Sequence, residues 1–246
     1  MDINQILLIA GFFFGAALYS SVGHAGASAY LAMMALAAVP QAVMRPTALV
    51  LNIIVATLVS LRFKLAGAFR FRVLWPFLIG AVPFAFFGGK ITLPGHFYKL
   101  MVGIILLIAA VRLLWPADLS KSRDVTDPPI VPSIAIGALI GLLSGLTGTG
   151  GGIFLSPVIL FMAWGETRTV SGVAAVFILC NSIAGLLGNL SSVGSLPSEL
   201  PLYIGAVLAG AFAGSYVGAI KLPREMILKA LGLVLTIAGI KLVAFS

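Results

Sequence analysis

The chain has 246 residues, 61% of them hydrophobic and only 9% charged, against roughly 25% charged in ordinary soluble domains, so a water-soluble globular fold is excluded. A formal net charge of +8 does not indicate a nucleic-acid binder, because the fifteen basic residues sit between apolar runs and form no continuous stripe. A single cysteine, Cys180, lying inside an apolar run, excludes an intrachain disulfide and a cysteine-based metal cluster.

The elements follow in order. Asp2, with no Lys or Arg before the first apolar run, does not make the basic start of a cleavable signal peptide, so the first span is expected to stay in the mature protein. Ile3 to Ser20 predicts a helix, broken by Ser20-Ser21-Val22-Gly23-His24-Ala25-Gly26-Ala27-Ser28. A short apolar piece from Ala27 to Val39, ended by Pro40, has too few residues for the hydrocarbon core and predicts a partial span. Pro46 to Leu61 is the next helix, followed by the most basic loop, with Arg62, Lys64, Arg70 and Arg72. Val73 to Gly89 and His96 to Trp115 are two further spans, with Trp75 and Trp115 placed like interfacial aromatics.

Pro116 to Pro129 is the one plausible linker. Beyond it the plan repeats: a helix from Pro132 to Leu146, a break from Gly148 to Gly152, a short piece from Ile153 to Trp164, then spans from Thr169 to Leu190, Leu200 to Ile220 and Glu225 to Phe245. Ile91-Thr-Leu-Pro94 matches Ile220-Lys-Leu-Pro223, and the same offset of 129 pairs Asn52 with Asn181, Gly103 with Gly232, Ala109 with Ala238 and Arg112 with Lys241. Around the glycine motifs the offset slips to about 124. The loop after Leu61 carries four basic residues and its counterpart, Ser191 to Glu199, none. With the short piece counted as a crossing, each half has five crossings, and opposite orientations place more of the basic residues inside than parallel ones do. The expected fold is therefore all-α and polytopic, with eight full spans and two short helices in two inverted repeats, residues 1–115 and 130–246, joined by a linker at 116–129.

Four glycines in five positions do nothing for an apolar span unless the backbone must leave the helix and something must approach it closely. A helix that starts there presents unpaired N–H groups and a partial positive charge, a ready anion site. Gly148, Gly150, Gly151 and Gly152 before Ile153, and Gly23 and Gly26 before Ala27, have this arrangement twice. Interrupted segments at corresponding places in two halves point to a transporter's binding site. Thr147, Thr149, Ser21 and Ser28 could add hydroxyl donors. The bland alternative is that the glycines permit close helix packing.

His24, the one ionisable side chain deep in either long uncharged run, is a candidate proton carrier or anion contact, or else a neutral structural histidine. Arg45 and Arg168 open corresponding helices and could attract an anion, or could simply snorkel to the headgroups. Asn52 and Asn181 need partners inside their spans, either each other's helices or the substrate. All seven acids, Asp2, Asp118, Asp124, Asp127, Glu166, Glu199 and Glu225, fall at segment ends or in loops.

The motif Gly148-Thr-Gly-Gly-Gly-Ile-Phe-Leu-Ser-Pro157, the run Asn181-Ser-Ile-Ala-Gly-Leu-Leu-Gly188 and the repeated layout resemble the TauE/SafE sulfite exporter family over nearly the whole chain. The resemblance implies a multi-pass carrier of small sulfur-containing anions, such as sulfite or organosulfonates, in a bacterial or archaeal cytoplasmic membrane. The first half departs from the motif, with Ala25, Ala27 and Ser28 where further glycines are expected.

A secondary anion exporter is the leading reading, with the bilayer and a small anion as partners, no nucleic acid, no cofactor, and a homodimer as a further option. A cation or metal transporter would have to use backbone carbonyls, since no intramembrane Asp or Glu is available. An intramembrane enzyme lacks a visible Ser/His/Asp set, His24 and His96 being the two histidines. No nucleotide-binding loop is present, which argues against a primary pump.

Overall fold

The computed structural model describes residues 3–21, 23–114, 125–190, 196–217 and 224–244. Most of the expected linker, Trp115, and residues 191–195 of the loop before Glu199 lie outside the described residues. Ten helices and no strands are found among those residues: α1 Ile3–Ser21, α2 Ala27–Leu36, α3 Gln41–Leu65, α4 Phe71–Lys90, α5 Gly95–Leu114, α6 Ile130–Thr147, α7 Gly152–Phe161, α8 Thr167–Gly188, α9 Leu200–Val217 and α10 Arg224–Ala244. Four of them, α3, α4, α6 and α8, are long and apolar enough over their described residues to cross a membrane.

The largest boundary difference is in α3. Its start was expected at Pro46, but the helix begins at Gln41 behind Pro40, whose extended backbone forms the N-cap. Pro46 falls inside the helix and removes one backbone bond there.

The two short helices are built alike. Gly23 and Gly148 (φ 85° and 83°), Gly26 and Gly151 (102° and 79°) and Ala38 and Ala163 (56° and 55°) are all left-handed, each pair 125 residues apart. At the C-terminal ends of the short helices Val39 N–H donates to Met34 C=O and Trp164 N–H to Ile159 C=O, both at 2.9 Å, which closes the same motif twice. Alanine is strained in this conformation. Ala38→Gly and Ala163→Gly are each expected to stabilise the protein by about 0.5–1 kcal/mol, measurable as a rise in thermal unfolding temperature.

The glycine breaks reverse the chain. Gly11 faces Met33, Gly15 faces Ala29, and Tyr19 is hydrogen-bonded to Ser28, so α2 runs back along α1. After the second break, α7 starts beside Ile178, midway along α8, and the chain after it brings Trp164 against Phe77, which packs on Gly137 in the first half of α6, and Ala163 C=O against Thr126 N–H just before α6. The short pieces are therefore returning arms of helical hairpins. Each was expected as a partial span, and what changes is the count of crossings, in which the short piece had been entered as one.

Around the hairpins the long helices pair closely, and α4 also meets α8, Gly89 against Gly185 and Gly188 against Phe86. α4 lies parallel to α6, Phe77, Ala81 and Ala85 meeting Gly137, Gly141 and Gly145 so closely that a methyl group on any of these glycines would overlap a carbonyl oxygen. α1 lies parallel to α9 in the same manner, through Phe13 with Gly210 and Ala17 with Gly214. α3 and α8 are antiparallel, with Leu49 against Gly185, Asn52 bonded to Ser182 and Ala66 to Arg168. α5 and α10 are antiparallel too, Gly103 meeting Gly239 and Leu114 meeting Gly232. Small residues at contact points are what helices in lipid use in place of a hydrophobic drive between them.

Candidate functional site

The two hairpin tips meet inside the bundle. From the first, the His24 ring places Nε2 3.0 Å from Ser156 Oγ and 3.3 Å from the Gly152 carbonyl oxygen, so it touches the first turn of α7. From the second, Gly150 (φ 75°) and Gly151 carry the backbone between Asn52 and Ser182 on one side and Ile140, Phe177 and Asn181 on the other. The first N–H groups of α7 precede any intrahelical partner, and left-handed glycines bring them close to these side chains.

Several polar groups here are spent. Thr147 Oγ1 donates to Leu143 C=O at 2.7 Å and lies 3.1 Å from Thr149 Oγ1, while Tyr98 donates its hydroxyl to Thr147 C=O at 3.1 Å. Others are not. Asn181 and Asn52 are both fully buried, yet neither amide atom of Asn181, nor Asn52 Oδ1, has a hydrogen-bond partner among the described residues. Asn52 Nδ2 reaches Ser182 Oγ at 3.4 Å. Buried amides left like this are uncommon and costly.

Arg45 neither snorkels nor faces a vestibule. It is 4% exposed, donates from Nη1 to Ile91 C=O at 2.9 Å and from Nη2 to Gly88 and Gly89 C=O at 2.7 and 2.6 Å, and thereby caps the C-terminal end of α4. Its side chain passes beside Gly148, and its Nε–H is buried without a partner. No acidic residue is buried among the described residues, so this charge has only carbonyl dipoles around it. Arg168, its counterpart in sequence, is exposed and donates to Ala66 C=O at 2.9 Å at the end of α3.

The first tip is self-contained by comparison. Tyr19 and Ser28 share a hydrogen bond, Tyr30 donates its hydroxyl to Ala25 C=O, Ser20 to Ala211 C=O at 3.2 Å, and Ser21 to Leu18 C=O at 2.7 Å. The Tyr30 ring fills the space in front of Gly26, and Gly23 rests on Ser171. Of the residues expected to act, the structure thus gathers His24, Asn52, Gly150, Gly151, Gly152 and Asn181, with Arg45 and Gly148 alongside. Gly23, Gly26, Ser28 and Arg168 stand apart.

Sequence reasoning missed three residues as members of the site. Ser156 and Ser182 lay inside motifs already noted, and Ser182 could have been found as the neighbour of Asn181. Tyr98 carried no signal. Lys241 donates to Ala35 and Leu36 C=O at 3.1 and 2.8 Å and caps α2, a role its place at a helix end only hinted at.

The profile of the sulfite exporter TauE/SafE family matches residues 7–242. The chain belongs to the TauE/SafE family. A probable membrane transporter of Sinorhizobium fredii is 37% identical over 245 residues, 98% of this chain and 99% of that one. A second, from Methanocaldococcus jannaschii, is 30% identical over 112 residues, 44% of this chain and 41% of that protein. No solved structure matches. Membership in this family of membrane transporters, together with several apolar helices, makes the chain a multi-pass membrane protein.

Proposed function

We propose that this TauE/SafE protein is a secondary exporter of small sulfur-containing anions, such as sulfite or organosulfonates, with the anion taken at the Gly148–Gly152 tip against Asn52, Asn181 and His24. The observation that carries this reading is the buried Arg45 charge, without an acidic partner among the described residues and with an unspent N–H, beside Gly148 at the opening of the glycine break that leads into α7. An anion supplies what that charge lacks. Export from a bacterial or archaeal cytoplasm is favoured by an inside-negative potential, worth about 2.3 kcal/mol per charge per 100 mV. Proteoliposomes offered sulfite, sulfate, sulfoacetate and thiosulfate are expected to pass at least one of them in response to an imposed potential. Flux of none of the four, in protein shown to be folded, would falsify the assignment.

The proposal includes an inverted repeat. Helices equivalent under the sequence offset, α3 with α8 and α5 with α10, pair antiparallel, while α1 with α9 and α6 with α4 exchange partners between the halves. A two-fold axis across the helices relates such pairs; an axis along them would leave them parallel. With α2 and α7 as returning arms, each half passes the membrane three times beyond its hairpin, an odd number as five was, so the orientation argument stands. The loop holding Arg62, Lys64, Arg70 and Arg72 is then cytoplasmic, and the segment before Glu199 is external. In a Cys180→Ala background, Ala66→Cys and Ser198→Cys are expected to react with an impermeant thiol reagent from opposite faces. Labelling from one face would replace the inverted repeat with a parallel one.

A further inference from the structure

We infer that the site takes its anion with one acidic hydrogen still attached: a hydroxyl-bearing monoanion of an oxyacid, in preference to a fully deprotonated oxyanion or a sulfonate of the same shape. This rests on the anion site proposed above and narrows it toward species such as hydrogensulfite.

The donors and acceptors at the tip do not balance. A carboxamide brings one carbonyl oxygen and two N–H groups. Asn52 spends Nδ2 on Ser182 and leaves Oδ1 unpaired, and Asn181 leaves both atoms unpaired. Turning an amide over exchanges its ends without removing the oxygen. Ser182 could then donate to Asn52, but Asn181 would still hold an acceptor with no donor. Both side chains press on the tip, Asn52 Nδ2 2.5 Å and Asn181 Nδ2 3.3 Å from where a side chain on Gly150 or Gly151 would begin.

An oxyanion without hydrogen carries acceptors alone. It can satisfy Asn181 Nδ2 and the first N–H groups of α7, but it sets its own negative oxygens against the carboxamide oxygen. An anion that keeps an O–H satisfies both kinds of group at once. The tip is closed on these side chains in the present arrangement. His24 from the α1–α2 link and Tyr98 from α5 are the titratable neighbours, and Arg45 from α3 is the fixed charge. A comparison of ligands at one pH holds all three constant.

Methylphosphonate and methanesulfonate make that comparison. At mildly acidic pH each carries one negative charge on three oxygens around a central atom bearing a methyl group, and they differ by one hydroxyl hydrogen. Competition against flux, with thermal stabilisation of the purified protein as a second readout, is expected to rank methylphosphonate about tenfold tighter, the usual consequence of one buried acceptor left unpaired. Asn181→Leu is expected to erase the difference by weakening methylphosphonate alone. If both anions bind and methanesulfonate binds as well or better, the hydroxyl requirement is wrong while the anion site survives. If neither binds, the anion site itself fails and this inference with it. Should Asn181→Leu not fold, the ranking of the two ligands by the native protein decides by itself.

Discussion

Arg45→Met is expected to destabilise the protein by roughly 3–5 kcal/mol and to abolish anion-dependent flux, because one side chain serves two ends. Its three bonds hold the carbonyls of Gly88, Gly89 and Ile91, which close α4 where no water is at hand. Its charge is also the field at Gly148. Arg45→Lys separates these roles: the ammonium keeps the charge but cannot span three carbonyls from one position. That variant is expected to unfold at lower temperature than wild type yet, below that temperature, to keep measurable flux. Arg168→Met, at an exposed site with a single bond, is expected to cost under about 1 kcal/mol. Thermal unfolding in lipid nanodiscs, paired with proteoliposome flux, checks all three. Full flux from Arg45→Met would remove the arginine from any part in transport.

The second large effect is at the tip. Gly150→Ala is expected to cost about 2–4 kcal/mol: left-handed alanine is strained by about 1 kcal/mol, and the new methyl would sit 2.5 Å from Asn52 Nδ2 and 2.9 Å from Ile178 Cγ2. Gly67→Ala isolates the first contribution, since Gly67 has φ 67° and open space where the methyl would go. A similar loss at both positions, read from unfolding temperature, would contradict the close packing of the tip. At Gly150 packing and binding fail together, so the discriminating substitution is at Asn181.

How far the sequence reaches can be judged at particular residues. The breaks were legible because glycine in an apolar run has few other uses, and the pairing of Asn52 with Asn181 because an amide there is rare. What the breaks do to the chain was not legible. Ala38 and Ala163 end the short helices in a conformation that alanine does not announce, so each piece was read as a partial span without its reversal. The fate of Arg45 was hidden for a related reason: whether an arginine at a helix start reaches outward or caps a neighbour depends on where α4 ends in space. The quiet first tip follows from Tyr19 and Tyr30, aromatic residues that read as ordinary span residues until their hydroxyls are seen to bond Ser28 and Ala25.

The glycine contacts between α4 and α6, and between α1 and α9, decide which pieces of this transporter can travel as one. At both seams backbone meets backbone without side chains to act as bearings, and sliding Gly141 past Ala81 or Gly214 past Ala17 would force main-chain atoms through each other. Each hairpin arm is therefore keyed to a helix from the opposite half of the chain. The rocking bodies of an alternating-access cycle would then be two composites, α1 with α9 and α6 with α4, the latter joined to α8 through Gly89 with Gly185 and Gly188 with Phe86, and the two sequence halves would never separate as units.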